Sequence, residues 1–260
     1  MAVFSFLQNQ QIMPENHPLL DNIAIVLVNP KYPENIGSAA RAAWNMGLTR
    51  LIVVANEYPD HERMVKLATH NAAHLIDAME FHENLRDALE PFSQIIGTTA
   101  RKGRHRTEGN SPREIMKNIM PMLAENQIAF LFGAEDRGLT NDDLKYCQLR
   151  SAIPTADFSS LNLAQAVAIH CYEIFHAVVH EQKDVTPNPK LASSYEVEHM
   201  YDHLESSLQQ IDFLHEKTHN YYMRNIRQFF GRIQLRSKET RLLQNIFRQF
   251  LSHNSTAKNR

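Results

Sequence analysis

Ile23–Val28 is a run of six consecutive apolar residues, rich in β-branched side chains, with a proline two residues after it. Comparable strand-like runs recur at Leu51–Ala55, Gln94–Thr98 and Ile128–Phe132, with a shorter one at Leu149–Ile153. They are largely continuous in their apolar character rather than alternating, which suits strands buried on both faces. Helical segments separate them. That order predicts an α/β fold with a mostly parallel sheet covered by helices on both sides.

The intervening helices can be read from their end signals. Asn35–Met46 is alanine-rich and stops at Gly47. Glu62–Ala78 reads as helix with an interruption near Asn71, and Leu85–Leu89 as a short helix. Ser111-Pro112-Arg113-Glu114 matches a capping box with proline at the first helical position, and the helix it starts should break at Pro121. Asn141–Tyr146 and Ser160–Val179 complete this set. Gln182–Ser194, with Pro187 and Pro189, reads as a linker. Three helices follow, near Ser194–Leu208, Asp212–Phe230 and Lys238–Phe250, with no strand signal. The expected organisation is an N-terminal extension over 1–20, an α/β domain over 21–184 and a small all-helical domain over 185–260.

At 260 residues the chain can bury a sizeable core. No apolar stretch approaches the roughly 20 residues that span a bilayer, so no membrane association is expected. Met1–Leu20 has no basic segment ahead of an apolar core, which argues against a secretory signal. Two cysteines, Cys147 and Cys171, form no metal spacing and no disulfide framework. A reducing, cytoplasmic setting fits. The formal net charge of −2 conceals an asymmetry: Lys217–Arg260 holds ten Lys or Arg against the single acid Glu239. A basic tail on an acidic body points to a polyanionic partner. A second basic cluster comprises Arg101, Lys102, Arg104, Arg106 and Arg113. The alternative for both is a solvated helix face and a solvated loop.

Three turns combine glycine or small polar residues in a similar way. They are Asn35-Ile36-Gly37-Ser38-Ala39-Ala40-Arg41, Phe132-Gly133-Ala134-Glu135 through Thr140, and Ile153-Pro154 through Ser159-Ser160-Leu161-Asn162-Leu163. Each follows an apolar run and leads toward a helix, where ligands bind in open α/β sheets. The dinucleotide fingerprint and the Walker A lysine are absent, and so is a serine-hydrolase elbow. Each turn has a plain structural alternative. Asn35 or Ser160 can be a helix cap, Gly133 a tight turn and Glu135 a loop carboxylate. Arg41 sits in a helix of small apolar residues, so its guanidinium should be buried with anionic or carbonyl partners. A structural ion pair and a functional arginine both satisfy that expectation. His215-Glu216-Lys217-Thr218-His219 matches a zinc-protease pattern but lies in the basic tail without a supporting sheet, and a metal site is disfavoured.

Taken together, the three turns and Gly97-Thr98-Thr99-Ala100-Arg101 resemble the motifs of the SpoU–TrmH branch of SPOUT RNA methyltransferases. The resemblance covers roughly residues 22–180. Within the branch the chain looks most like the TrmJ-type tRNA cytidine/uridine 2′-O-methyltransferases, and Tyr201–Glu205 and Met223–Arg227 through Arg236 look like that subgroup's helical RNA-binding extension. The resemblance implies a C-terminal trefoil knot, a homodimer, a tRNA substrate and no metal. It implies S-adenosylmethionine held by Thr98, Thr99, Ala100, Gly133, Ile153, Ser159, Ser160 and Leu161. Arg41, Asn35, Ser160, Asn162 and Glu135 would match catalytic or near-catalytic positions, and nucleotide 32 of the anticodon loop would be the target. Another tRNA or rRNA nucleotide, or a non-catalytic RNA-binding protein of the same fold, are the competing readings. The chain departs from the pattern at Glu34, at Ala134 and in the spacing of Arg101–Arg106.

Overall fold

In a computed structural model the described residues are 17–100, 110–157, 160–180 and 188–257. Arg101, Lys102, Arg104, Arg106 and Ser159 lie outside them, as does most of the N-terminal extension. Six strands form one sheet: β1 (Ile23–Val28), β2 (Arg50–Val54), β3 (Glu80–His82), β4 (Gln94–Thr98), β5 (Ile128–Phe132) and β6 (Leu149–Ser151). Every pairing is parallel, in the order β3-β2-β1-β5-β4-β6. β1, β2, β4 and β5 are buried on both sides, as their largely continuous apolar runs predict. Ile23, Ile25, Leu27, Phe130 and Phe132 face one core with α1 (Pro33–Asn45), α2 (His61–Asp77), α4 (Pro112–Ile119) and α6 (Leu163–His180). Ala24, Val26, Ala129 and Leu131 face the other, under α3 (Leu85–Leu89) and α5 (Asn141–Leu144). The chain runs outward through β2 and β3, then crosses β1 to the other half of the sheet. The reversal opens a crevice at the carboxyl ends of the strands.

Several local expectations shift by a few residues. α1 begins at Pro33 with Tyr32 as its cap, so Asn35 lies inside the first turn and is not a cap. The interruption in α2 falls at Thr69, whose φ is +63°. Glu80–His82 is a strand with no signal in the sequence; its three residues are too few for a period to register. Asn141–Tyr146 shortens to α5, and Leu149–Ile153 to β6. The capping box at Ser111–Glu114 and the break at Pro121 both form. α6 starts at Leu163 and not at Ser160. Asn162 caps it, its Oδ1 accepting from the Ala164 N–H at 2.9 Å while its carbonyl accepts from Ala166.

Gly37 serves packing. A Cβ there would overlap the Met64 carbonyl, so α1 and α2 cross in close backbone contact. Glu34, a departure from the family pattern, forms a two-pronged ion pair with Arg63 at 2.8 and 3.0 Å and ties the starts of the same two helices together.

After residue 187 the chain is held along its length. Asn188 N–H donates to Pro121 O, Leu191 N–H to the buried Asn126 Oδ1, Ser194 N–H to Phe92 O and Tyr195 N–H to Glu90 O. α7 (Ser194–Gln210), α8 (His219–Gly231) and α9 (Ser237–Ala257) then build a third core around Met200, Tyr201 and Leu204. The helix expected over Asp212–Phe230 starts later, at His219, and Asp212, with φ +56°, lies in the turn after α7. These helices dock at the amino ends of β4 and β5, opposite the crevice. Arg227 Nη1 and Nη2 meet Glu198 at 2.6 and 2.7 Å, and the guanidinium lies 4.3 Å from the Tyr201 ring and 6.0 Å from that of Tyr146. Arg86, at the start of α3, pairs with Asp202.

Candidate active site

The three motifs meet through one side chain, that of Asn35. Glu135, just past β5, accepts from the Lys31 backbone N–H at 2.8 Å and from Asn35 Nδ2 at 2.6 Å. Asn35 Oδ1 in turn accepts from Asn162 Nδ2 at 3.0 Å. Residues 100 and 127 positions apart in sequence are thus joined by two side-chain hydrogen bonds. Three side chains orient one another, and each is backed by its own main chain: Asn35 by the first turn of α1, Asn162 by the cap of α6, Glu135 by the β5 turn.

Behind this network lies a cavity of about 750 Å³ at the carboxyl ends of β4, β5 and β6. Thr98, Thr99, Ala100, Gly133, Ile153, Ser160 and Leu161 all line it, as does Glu135. Thr98 is fixed by its hydroxyl, which donates to Leu131 O at 2.8 Å, and Thr99 by its N–H, which donates to Ser151 O at 2.9 Å. Gly133 is required by the loop that follows it. A Cβ would overlap Gly138 and Leu139, which fold back over it, and Gly138 reaches φ +65° to make that return. The backbone that approaches Gly133 closely is therefore the chain's own. Asp136, Arg137 and Asp157 complete the polar wall.

Arg41 differs from its expectation. It is exposed, does not line the cavity, and has no hydrogen bond or ion pair among the described residues. The buried stripe of α1 is Ile36, Gly37, Ala39, Ala40 and Ala43, and Arg41 falls at its margin. Six residues separate Asn35 from Arg41, about 9 Å of rise and an offset of about 120° around the helix.

His170 is a site residue that no sequence motif singled out. It is buried, lines the cavity, and stands on α6 with its ring edge-on to Phe132 at 5.1 Å. Its Nδ1 lies 2.8 Å from Ala166 O, which can only accept, so Nδ1 carries the proton. Nε2, 2.9 Å from the Ser151 hydroxyl, then accepts from it. Burial lowers its pKa to about 4, against the opposing pull of the Ala166 carbonyl. The signal was present as a polar residue within the buried stripe Leu163, Val167, Cys171 and Ile174 of α6.

The zinc-protease pattern dissolves on folding. α8 begins at His219, so His215 is not on its helix, and His219 Nε2 pairs with Glu205 at 2.7 Å. Among the described residues no group of three His, Cys, Asp or Glu is arranged to hold a metal, and no helix is long and apolar enough to cross a membrane.

Residues 22–172 match the model of the SpoU rRNA Methylase family, and residues 195–259 match that of the tRNA methyltransferase TrmJ, C-terminal domain. The chain is 36% identical over 240 residues to the tRNA (cytidine/uridine/adenosine-2′-O-)-methyltransferase TrmJ of Pseudomonas aeruginosa, covering 88% of this chain and 93% of that protein. It is 34% identical to the tRNA (cytidine/uridine-2′-O-)-methyltransferase TrmJ of Salmonella typhimurium, covering 88% and 96%. Among solved structures, TrmJ from Z. mobilis ZM4 superposes with a TM-score of 0.76 at 29% identity, covering 87% of this chain and 97% of that one.

Proposed function

The chain belongs to the SpoU rRNA Methylase family, and on that premise we propose that it is a tRNA ribose 2′-O-methyltransferase using S-adenosylmethionine. Its target in this reading is C or U at nucleotide 32 of the anticodon loop, acted on by a cytoplasmic homodimer. The observation that carries the reading is the Glu135–Asn35–Asn162 network, whose Glu135 lines the cavity. It gathers the first motif to the other two in one place.

The cavity suits the proposed donor. Its size is that of a small-molecule site. Apolar Ile153, Leu161 and Leu163 offer a surface for a purine, and Thr98, Thr99 and Ser160 offer hydroxyls. Three carboxylates, Glu135, Asp136 and Asp157, stand against one guanidinium, Arg137, which favours a ligand carrying positive charge. In this reading Thr98, Thr99, Ala100, Gly133, Ile153, Ser159, Ser160 and Leu161 hold the donor within the trefoil knot that the family resemblance implies.

When bound, S-adenosylmethionine supplies a methyl group already activated by its sulfonium. The chain's own task is alignment and charge stabilisation. In this reading Asn35, held by Glu135, and Asn162, held by Asn35, orient the ribose beside the cavity that Glu135 and Ser160 line. Arg41 does not accept the proton of the 2′-hydroxyl, because a guanidinium stays protonated in proteins. It binds the hydroxyl or an adjacent phosphate and stabilises the oxyanion that develops. Since Arg41 does not line its own cavity, in this reading it acts at the cavity of the second copy in the homodimer.

The helical extension over 185–260 supplies phosphate contacts that position tRNA without reading its sequence. A calorimetric titration tests the donor: S-adenosylmethionine should bind at one site per chain, and binding should weaken in Ile153→Asp. A chain that binds tRNA but no donor would be the non-catalytic alternative.

A further inference from the structure

The tail's cations do not form one class. Arg227, counted with the basic tail in sequence, is turned inward and neutralised: its side chain is 16% exposed and that of Glu198 6%. On the same inner face of α8, Met223 is buried and Ile226 and Phe230 pack into the third core. The opposite face carries Arg224, Asn225, Gln228 and Arg232, all exposed, with Tyr221 and Phe229 each 57% exposed. No acidic residue occurs from Lys217 to Lys238, so nothing on this helix cancels the outward charge.

The outward rings are braced. Phe229 meets Phe230 edge-on at 5.3 Å, and Phe230 leans on Tyr201 at 6.1 Å. Tyr221 meets Tyr222 at 5.4 Å, and Tyr222 lies 4.7 Å from Phe213. Phe229 is thereby steadied by a ring of the third core and Tyr221 by the half-buried Tyr222. Arg232 uses only its Nε locally, on Gln228 O at 3.2 Å. Tyr221 and Phe229 stand eight residues apart, about 12 Å along the axis, and so do Arg224 and Arg232.

We propose that this outward face of α8 is a docking surface for unpaired RNA, with bases stacking on Tyr221 and Phe229 and phosphates meeting Arg224 and Arg232. Interleaved aromatics and arginines on a helix free of carboxylates fit single-stranded RNA, whose bases present open faces. A duplex would use the cations and leave the rings idle. The assignment deepens the proposed tRNA reading and depends on it for the identity of the RNA.

Fluorescence anisotropy on the full chain tests it, using a tRNA transcript and an unstructured oligoribonucleotide. Tyr221→Ala/Phe229→Ala should weaken both by tenfold or more at constant salt slope. Arg224→Ala/Arg232→Ala should weaken both and lower the slope of log affinity against log salt by about 1 to 2. Circular dichroism and donor titration should match the unmodified chain, since neither pair is buried. RNA affinities within twofold of the unmodified chain, as expected if the face served a protein, would overturn the assignment. So would preference for a duplex over the single strand. If the unmodified chain fails to bind the donor, the enzymatic reading falls while the anisotropy result still decides the surface.

Discussion

Among single residues, His170 and Arg41 carry the sharpest expectations. His170 is neutral because burial holds its pKa near 4. Unfolding exposes it to water, where it titrates near 6.5. Since its folded value is depressed, its contribution to stability is complete above pH 6.5 and is lost as pH falls from 6.5 to 4. The loss amounts to about 3 kcal/mol. Urea unfolding across that range should show the decline, and His170→Gln, which cannot titrate, should flatten it. An unchanged profile in the variant would assign the decline to other groups. For Arg41, replacement by Lys keeps the charge but removes the planar fork. Methylation by Arg41→Lys should fall a hundredfold or more with donor affinity unchanged, and full activity would sink the proposed role.

Elements were legible where a period or an end signal was strong. The continuous runs of β1 and β5, the capping box of α4 and the stop at Gly47 all read through to the structure. β3, with three residues, had no room for a period. The start of α6 differs from the sequence expectation because Ser159, Ser160 and Asn162 offer three caps within four residues, and only the partnership with Asn35 and Ala164 selects Asn162. The inward turn of Arg227 was invisible for a related reason: its partner Glu198 is 29 residues away on another helix. The Arg227–Glu198 pair joins α8 to α7 beside Tyr146 of the body. Arg227→Met leaves a buried carboxylate alone and should cost about 3 kcal/mol. Arg227→Met/Glu198→Leu should recover most of that. Hydrogen exchange in α7 through α9 reads both, and equal protection in the single variant and the parent would show that the pair does not hold the extension.

For the molecule as a unit, the candidate site was legible as pieces and not as an assembly. The sequence marked the lining residues from Thr98 to Leu161, but the bond from Asn35 to Glu135 exists only once β1 and β5 lie side by side. The extension and the cavity stand at opposite ends of the sheet. A five-residue strand separates them by about 16 Å. An RNA that engages both has to span that height, which a folded tRNA does and a short target fragment does not. Deleting 185–260 should abolish tRNA binding and leave donor binding in place, and a truncated chain that methylates tRNA at the normal rate would rule this out. In the intact chain, tRNA affinity should fall at least about tenfold between 50 and 200 mM salt, as phosphate contacts release counterions.

The decisive experiment is to incubate the protein with S-adenosylmethionine and unmodified tRNA transcripts, then locate the product by nuclease digestion and mass spectrometry. The expected product is a single 2′-O-methylated C or U, at nucleotide 32 of the anticodon loop. Methyl groups on bases, or unmodified RNA from a protein that binds both donor and tRNA, would refute the proposed activity.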